Sequence, residues 1–324
     1  MNHKNAIILD CDPGEDDALA ILYAIHKQHP LKALVCGFGN TSPFNTIRNG
    51  AGLLALSGRD DIPLFKGTYE PYKPHPIEET IVDAGAFVGA NGLCGTPLPN
   101  ADHILVQNDD MEKDSMLQAL AKHIRSVAPV TYIVTGPCGT LAHILDILGD
   151  EASTIIKNII LMGGALDAPG NHGPLSPDTG KSYAEFNFYC DPAGTHRVLH
   201  SGIEVTLAAW DLTETIVMNY QEILATKTTN KSGIFVQTLM KNFLESFGNE
   251  NNRDFEFNDC ITFTAYEGKG TLRNEKIDIV TQGEQAGRIY RSDDGVKVRF
   301  LDIEPLERNI IRNEILKTIG IEKL

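Results

Sequence analysis

The stretch AIILDCDPGEDD, residues 6–17, decides how the rest of the chain is read. An apolar run of four residues leads into five carboxylates within eight positions: Asp10, Asp12, Glu15, Asp16 and Asp17. The run is apolar without alternation, which predicts a strand buried on both faces. Pro13-Gly14 turns the chain. The spacing of apolar residues over 16–27 then predicts a helix that starts among the acids. Asp10 and Asp12, two apart at the strand end, point to one side. In open α/β sheets ligands gather beyond the carboxyl ends of strands, which is where this acidic turn falls.

Similar runs recur at 32–38 (KALVCGF), 130–136 (VTYIVTG), 158–164 (NIILMGG) and 203–209 (IEVTLAA). Helical patterns lie between them, at 114–127, 139–148 and 192–200. The alternation predicts an α/β fold: an open, mainly parallel sheet with helices on both faces. Toward the end, RIYRSDDGVKVRF (288–300) predicts a C-terminal hairpin turning at Asp294-Gly295, followed by a helix over 304–319. No internal repeat or low-complexity tract interrupts the pattern, so residues 1–324 are expected to form a single domain. The Gly/Pro-rich stretch 163–182 is too short and polar for a domain and is expected to be an active-site loop or lid.

Net charge is -15 and the pI about 5.1. No basic stripe is present to neutralise phosphates, which excludes nucleic acid and anionic membrane as partners. The six cysteines (Cys11, Cys36, Cys94, Cys138, Cys190, Cys260) form no CxxC pair, and their scatter fits buried thiols in a reducing cytosol. The apolar run at 6–9 is too short for a signal-peptide core, and no later segment is long enough to span a bilayer. The expected location is cytoplasmic.

Two explanations compete for the acids. Carboxylates at a helix N-terminus interact favourably with its dipole, each by about 0.3–1 kcal/mol, which accounts for Asp16 and Asp17. Asp10 and Asp12 come earlier and only add repulsion, so a cation is the missing charge. Oxygen-only donors suit Ca²⁺ or Mg²⁺, with Ca²⁺ favoured where several carboxylates bind flexibly. A strand ending in DxD also resembles haloacid-dehalogenase-type phosphatases, in which the first Asp attacks phosphorus. Gly14 and the following Asp16-Asp17 depart from that pattern. Other polar groups fall at strand ends on the same rim: Asn40, Thr135, Met162 and Asp259. The last is also read as a helix N-cap. Glu185 and Asn187, two apart, share a face in an extended chain and could hold the hydroxyls of a small polyol.

DCDPGEDDALA, FGN, VTGP, LMGG, AEFN followed by DP, and the late ND together resemble the nucleoside hydrolase family of the inosine-uridine-preferring type. The motifs run in family order from residue 10 to residue 259. The resemblance implies a Ca²⁺-dependent ribonucleoside hydrolase that splits the N-glycosidic bond, assembled as a homodimer or homotetramer. It implies Asp12, Asp17, the backbone carbonyl of Thr135 and Asp259 as metal ligands, and Asp12 also as the catalytic base for a water on the ion. Asp16 would hold a ribose hydroxyl and Asp10 would orient the metal loop from behind. Asn40, Met162, Asn171, Glu185 and Asn187 would clasp the ribose, with Phe186 beside it.

The base pocket departs from the family. Asn258 in the substrate pocket stands where many members place a His that assists the departing base, and an amide has no proton to donate near neutral pH. In the segment 86–95, Val88 stands where some members have His. Purine-specific relatives use paired tryptophans, whereas Trp210 alone is present and reads as packing. His75, His103 and His172 lie in expected loops as substitutes. The length of the loop after Asn171 favours purines. The missing His also motivates an alternative, a metal-dependent riboside-binding protein with little or no turnover.

Overall fold

A computed structural model describes residues 5–77, 88–109, 111–246 and 253–324. Nine strands form the main sheet: β1 (Ala6–Cys11), β2 (Leu31–Cys36), β3 (Leu64–Lys66), β4 (Val130–Val134), β5 (Ile156–Met162), β6 (Val205–Ala208), β7 (Thr271–Ile279), β8 (Ile289–Arg291) and β9 (Val296–Asp302). Their spatial order is β8-β7-β9-β6-β5-β4-β1-β2-β3. Every neighbouring pair is parallel except the two made by β7. The order 3-2-1-4-5-6 reverses direction between β1 and β4, and a crevice opens beyond the carboxyl ends of strands at such a switch point. Leu9 of β1 faces Leu34 on one side and Ile133 on the other. The turns that follow β1 and β4 therefore sit side by side.

The main helices are α1 (Glu15–His26), α2 (Pro43–Ser57), α3 (Lys113–Val127), α4 (Gly139–Leu148), α5 (Phe186–Cys190), α6 (Pro192–Leu199), α7 (Lys231–Ser246), α8 (Cys260–Glu267) and α9 (Pro305–Ile319). They divide by the pleat of the sheet. Ile7, Leu9 and Cys11 of β1 point into a core shared with α1, α2, α7, α8 and α9. Ile8 points into a second core with α3, α4 and α6. Alternate residues of one strand thus feed opposite layers. Each fully buried Leu or Ile contributes roughly 1.5–3 kcal/mol, so both faces are needed to offset the chain entropy. All six cysteines are free thiols, five of them buried. Among the described residues no helix is long and apolar enough to cross a membrane.

The C-terminal antiparallel element differs from the expected 288–300 hairpin. β8 and β9 do not pair with each other; both run antiparallel to β7, which lies between them. Ile277 faces Arg291 on one side and Val296 on the other. The turn at Asp294-Gly295 therefore carries the chain across β7 without reversing it. A side chain at 295 would come within 2.4 Å of the Ile277 carbonyl oxygen, so the crossing needs glycine. The sequence hid β7 because TLRNEKIDI is polar and mostly exposed. The final helix spans Pro305–Ile319, close to the expected span.

Candidate functional site

Asp12 lies directly beyond β1 and is completely buried. Its Oδ2 accepts the Asn40 backbone N–H at 2.6 Å, while Oδ1 has no partner. Two glycines make room for this carboxylate. A Cβ at Gly39, where φ is +151°, would fall 1.9 Å from Oδ2, and one at Gly136 would fall 2.5 Å from Oδ1. The turns after β1, β2 and β4 thus close around one side chain. Asp17, in the first turn of α1, is also fully buried. Its Oδ1 accepts the Thr135 hydroxyl at 2.7 Å, and its Oδ2 accepts Gly14 N–H at 3.1 Å and Asn40 Nδ2 at 3.2 Å. The Gly14 contact is capping, so capping accounts for part of Asp17. Asp259 sits at the N-cap of α8, yet its side chain makes no capping bond and its Oδ2 is buried without a partner.

Carboxylate oxygens of Asp16, Asp17 and Asp259 all lie within 4.8 Å of one another. Two unit charges about 4 Å apart repel by about 4 kcal/mol at an effective dielectric near 20, well above the 0.3–1 kcal/mol that a helix dipole returns. Burial and the neighbouring Asp16 push Asp17 up to about 7. Burial, then Asp16, Asp17 and Asp12, push Asp259 well above the carboxylate range. Burial, then Asp17, does the same to Asp12. Buried acids with orphaned oxygens and no cation fit a hard divalent ion with oxygen ligands. Asp16, Asp17 and Asp259 lie close enough together to share one. The Thr135 carbonyl accepts Asn187 Nδ2 at 2.9 Å on the same rim.

Asp10 points away from this pocket. It is 3% exposed, accepts the Tyr132 hydroxyl at 3.0 Å, and is pushed by burial to about 8. A carboxylate enclosed in this way has no approach for phosphorus, which removes the structural basis of the phosphatase alternative.

An open pocket lies above the acids. Asp16, Asn40, Thr135, Met162, Asn171, Glu185, Phe186, Asn187, Asn258 and Asp259 all line it, so every substrate-facing residue taken from the sequence is brought to one place. The local geometry of the AEFN segment differs from the extended pair expected. Glu185 is the N-cap of α5, and its carboxylate accepts Asn187 N–H at 2.8 Å, Gly164 N–H at 2.9 Å and Phe188 N–H at 3.2 Å. Asn187 lies inside the helix and donates Nδ2 to the Thr135 and Met162 carbonyls. Phe186 stays at the pocket while Phe188 enters the core. The stretch 163–182 holds a ribbon: Gly170 pairs with Ser182 and His172 with Ala184, both antiparallel. Its length goes into this ribbon. Asn171 anchors it by accepting Phe186 N–H at 2.9 Å.

The remaining pocket wall was less legible. Val88 and Asn258 line it as expected, and Asn258 donates Nδ2 to Asp16 at 3.2 Å. Ala86 and Phe87 of the segment 86–95 lie outside the described residues. Trp210 packs on Met162 and Ala165, and it also lines the pocket. Glu15, from the acidic turn, lines it too, and Phe243, Arg253 and Glu256 are lining residues the sequence does not single out, each one polar or aromatic residue without a motif around it. Of the three loop histidines, His172 reaches the pocket, edge-on to Phe186. His75 bonds the Tyr189 carbonyl at 2.8 Å, and His103 lies near Asp60 on the surface.

Comparisons with known proteins bear on the family and the fold. A family model described as inosine-uridine preferring nucleoside hydrolase matches residues 7–309. The pyrimidine-specific ribonucleoside hydrolase RihA of Citrobacter koseri is 32% identical over 243 residues, covering 74% of this chain and 70% of that protein. RihA of Salmonella paratyphi B is 35% identical over 209 residues, 64% of this chain and 60% of that protein. Among solved structures, a plant nucleoside hydrolase superposes with a TM-score of 0.79 at 20% identity, covering 98% of this chain and 99% of that one. A purine-preferring ribonucleoside hydrolase from Gardnerella vaginalis gives 0.77 at 21% identity, covering 97% and 99%. At that identity the two structures speak for the fold alone.

Proposed function

Since the chain belongs to the inosine-uridine preferring nucleoside hydrolase family and is a ribonucleoside hydrolase, we propose that it uses Ca²⁺ and the carboxylate of Asp12 to split a ribonucleoside into ribose and free base. Asp12, Asp17, Asp259 and the carbonyl of Thr135 would hold the ion. When bound, Ca²⁺ supplies a Lewis acid that anchors sugar hydroxyls and makes water more acidic. The observation that carries this reading is the pair of orphaned, buried oxygens, Asp12 Oδ1 and Asp259 Oδ2.

The chain's own residues do the rest. Asp12 Oδ1 has no partner in the chain and is the acceptor for a proton from the attacking water. Asp16, Asn40 and Asn187 offer donors and acceptors to the ribose hydroxyls, and Glu185 sets α5 so that Asn187 faces the pocket. Met162, Phe186 and Trp210 form the apolar wall that keeps bulk water from the sugar. As the C1′–N bond stretches, positive charge grows on the ribose, and the carboxylates beneath it stabilise that charge.

The two RihA relatives carry pyrimidine-specific names, which favours uridine and cytidine as substrates over the purines suggested by loop length. The test is a product assay on purine and pyrimidine ribosides, following ribose and free base with and without a chelator. Turnover that the chelator abolishes and Ca²⁺ restores is expected. Tight riboside binding with no product over the whole panel would favour the binding-protein alternative.

A further inference from the structure

The acids stabilise the sugar but work against the other half of the reaction. Heterolysis leaves the glycosidic electron pair on the base nitrogen, so the departing base carries negative charge until it takes a proton. Five carboxylates line the pocket among the described residues: Glu15, Asp16, Glu185, Glu256 and Asp259. Asn258 commits its Nδ2 to Asp16 and has no acidic proton to offer. Among the described lining residues Arg253 is the single Lys or Arg.

Arg253 is also held in place. Its guanidinium lies over the Phe243 ring, 5.3 Å from the centroid, and Nη2 is 3.8 Å from Glu256 Oε2. Phe243 comes from α7 and also lines the pocket, so the cation is carried on the wall. Its charge is felt by Glu15 and Glu256. A guanidinium has five N–H donors in a planar fork and keeps its proton, so it acts by charge and hydrogen bonding rather than as an acid.

Resting on the hydrolase reading above, we propose that Arg253 is the residue that activates the leaving base, donating an N–H to the acceptor on which the base's negative charge collects. That acceptor is the C2 carbonyl oxygen of a pyrimidine or a ring nitrogen of a purine. In the full step the water oxygen bonds to C1′ and its proton passes to Asp12. The C1′–N pair leaves with the base beside Arg253. The base then takes a proton from solvent, and Asp12 returns its own proton to solvent.

The test compares Arg253→Gln and Arg253→Lys with wild type on uridine, 5-fluorouridine and 4-nitrophenyl β-D-ribofuranoside. The second and third substrates release progressively more stable anions. Loss of one such donor is expected to lower kcat on uridine by about 10²–10³, less on 5-fluorouridine and least on the aryl riboside, with KM little changed. Arg253→Lys keeps the charge but not the fork and is expected to fall between. An equal loss on all three substrates, or undiminished uridine turnover, would overturn the proposal. A wild type inactive on all three would sink the hydrolase reading itself, which is a different outcome.

Discussion

Helices α1 and α8 lie side by side, and their two ends are built on opposite principles. At the C-terminal ends, Glu267 accepts the Tyr23 hydroxyl at 2.7 Å, meets His29 at 3.1 Å and pairs with Lys269 at 2.7 Å. Lys269 and Lys27 in turn reach Glu314. Burial pushes Glu267 up, but the hydrogen bonds from His29, Lys269 and Tyr23 outweigh it and hold the carboxyl at about 2. At the N-terminal ends, Asp16, Asp17 and Asp259 converge without any such cation among the described residues, and Asp17 and Asp259 are driven upward. One end is electrically closed by the chain itself. The other is left open, and an open buried cluster is what a bound cation completes.

Substitutions at the two ends are expected to separate the roles. The largest effect is on chemistry: Asp12→Ala is expected to lower kcat by about 10²–10⁴, the range general-base catalysis supplies, whereas Glu267→Gln keeps kcat near wild type. A steady-state assay on one nucleoside decides both. Comparable loss in the two variants would erase the contrast.

The next effect is on stability. Glu267→Gln is expected to cost about 1–3 kcal/mol in urea unfolding, because its buried partners lose a charged acceptor. The sign of the pH dependence follows from the depressed carboxyl. Its contribution is present above the unfolded value near 4.5 and fades as pH falls toward 2. The gap between wild type and variant therefore narrows in acid.

Asp259→Asn inverts that result. In chelator it relieves repulsion, so the metal-free protein is expected to unfold at a higher temperature than metal-free wild type. Added Ca²⁺ should then stabilise wild type and not the variant.

The smallest effect concerns Asp191, which caps α6 by accepting Gly194 N–H at 2.8 Å and also accepts Tyr72 N–H at 2.9 Å. Burial pushes it to about 7. A raised acid favours the folded state when protonated, so its contribution is complete below about 4 and is lost as pH rises through about 7. Asp191→Asn is expected to flatten the stability profile over that window, read from thermal unfolding between pH 4 and 8.

Legibility in the sequence followed how local each signal was. β1 announced itself because burial on both faces leaves an uninterrupted apolar run, and the direction of that strand alone put the acids behind it on the sheet rim. β7 gave no such signal, since its outward residues are charged, and the crossing over Ile277 depends on a glycine whose neighbour is distant in sequence. Asp259 was readable as a helix start, but its approach to Asp16 and Asp17 comes from the packing of α8 on α1. Glu185 reads as half of an extended pair because Glu is not a favoured N-cap residue and the helix it caps is only five residues long. Arg253 and Trp210 reached the pocket through tertiary contacts that no local pattern encodes.

The most direct test titrates Ca²⁺ into chelator-stripped protein by calorimetry, for wild type, Asp259→Asn and Glu267→Gln. Saturable binding of one ion in wild type and Glu267→Gln, lost in Asp259→Asn, is the expected result. No binding in wild type, or binding that survives unchanged in Asp259→Asn, would contradict the claim that the open helix ends exist to hold a metal.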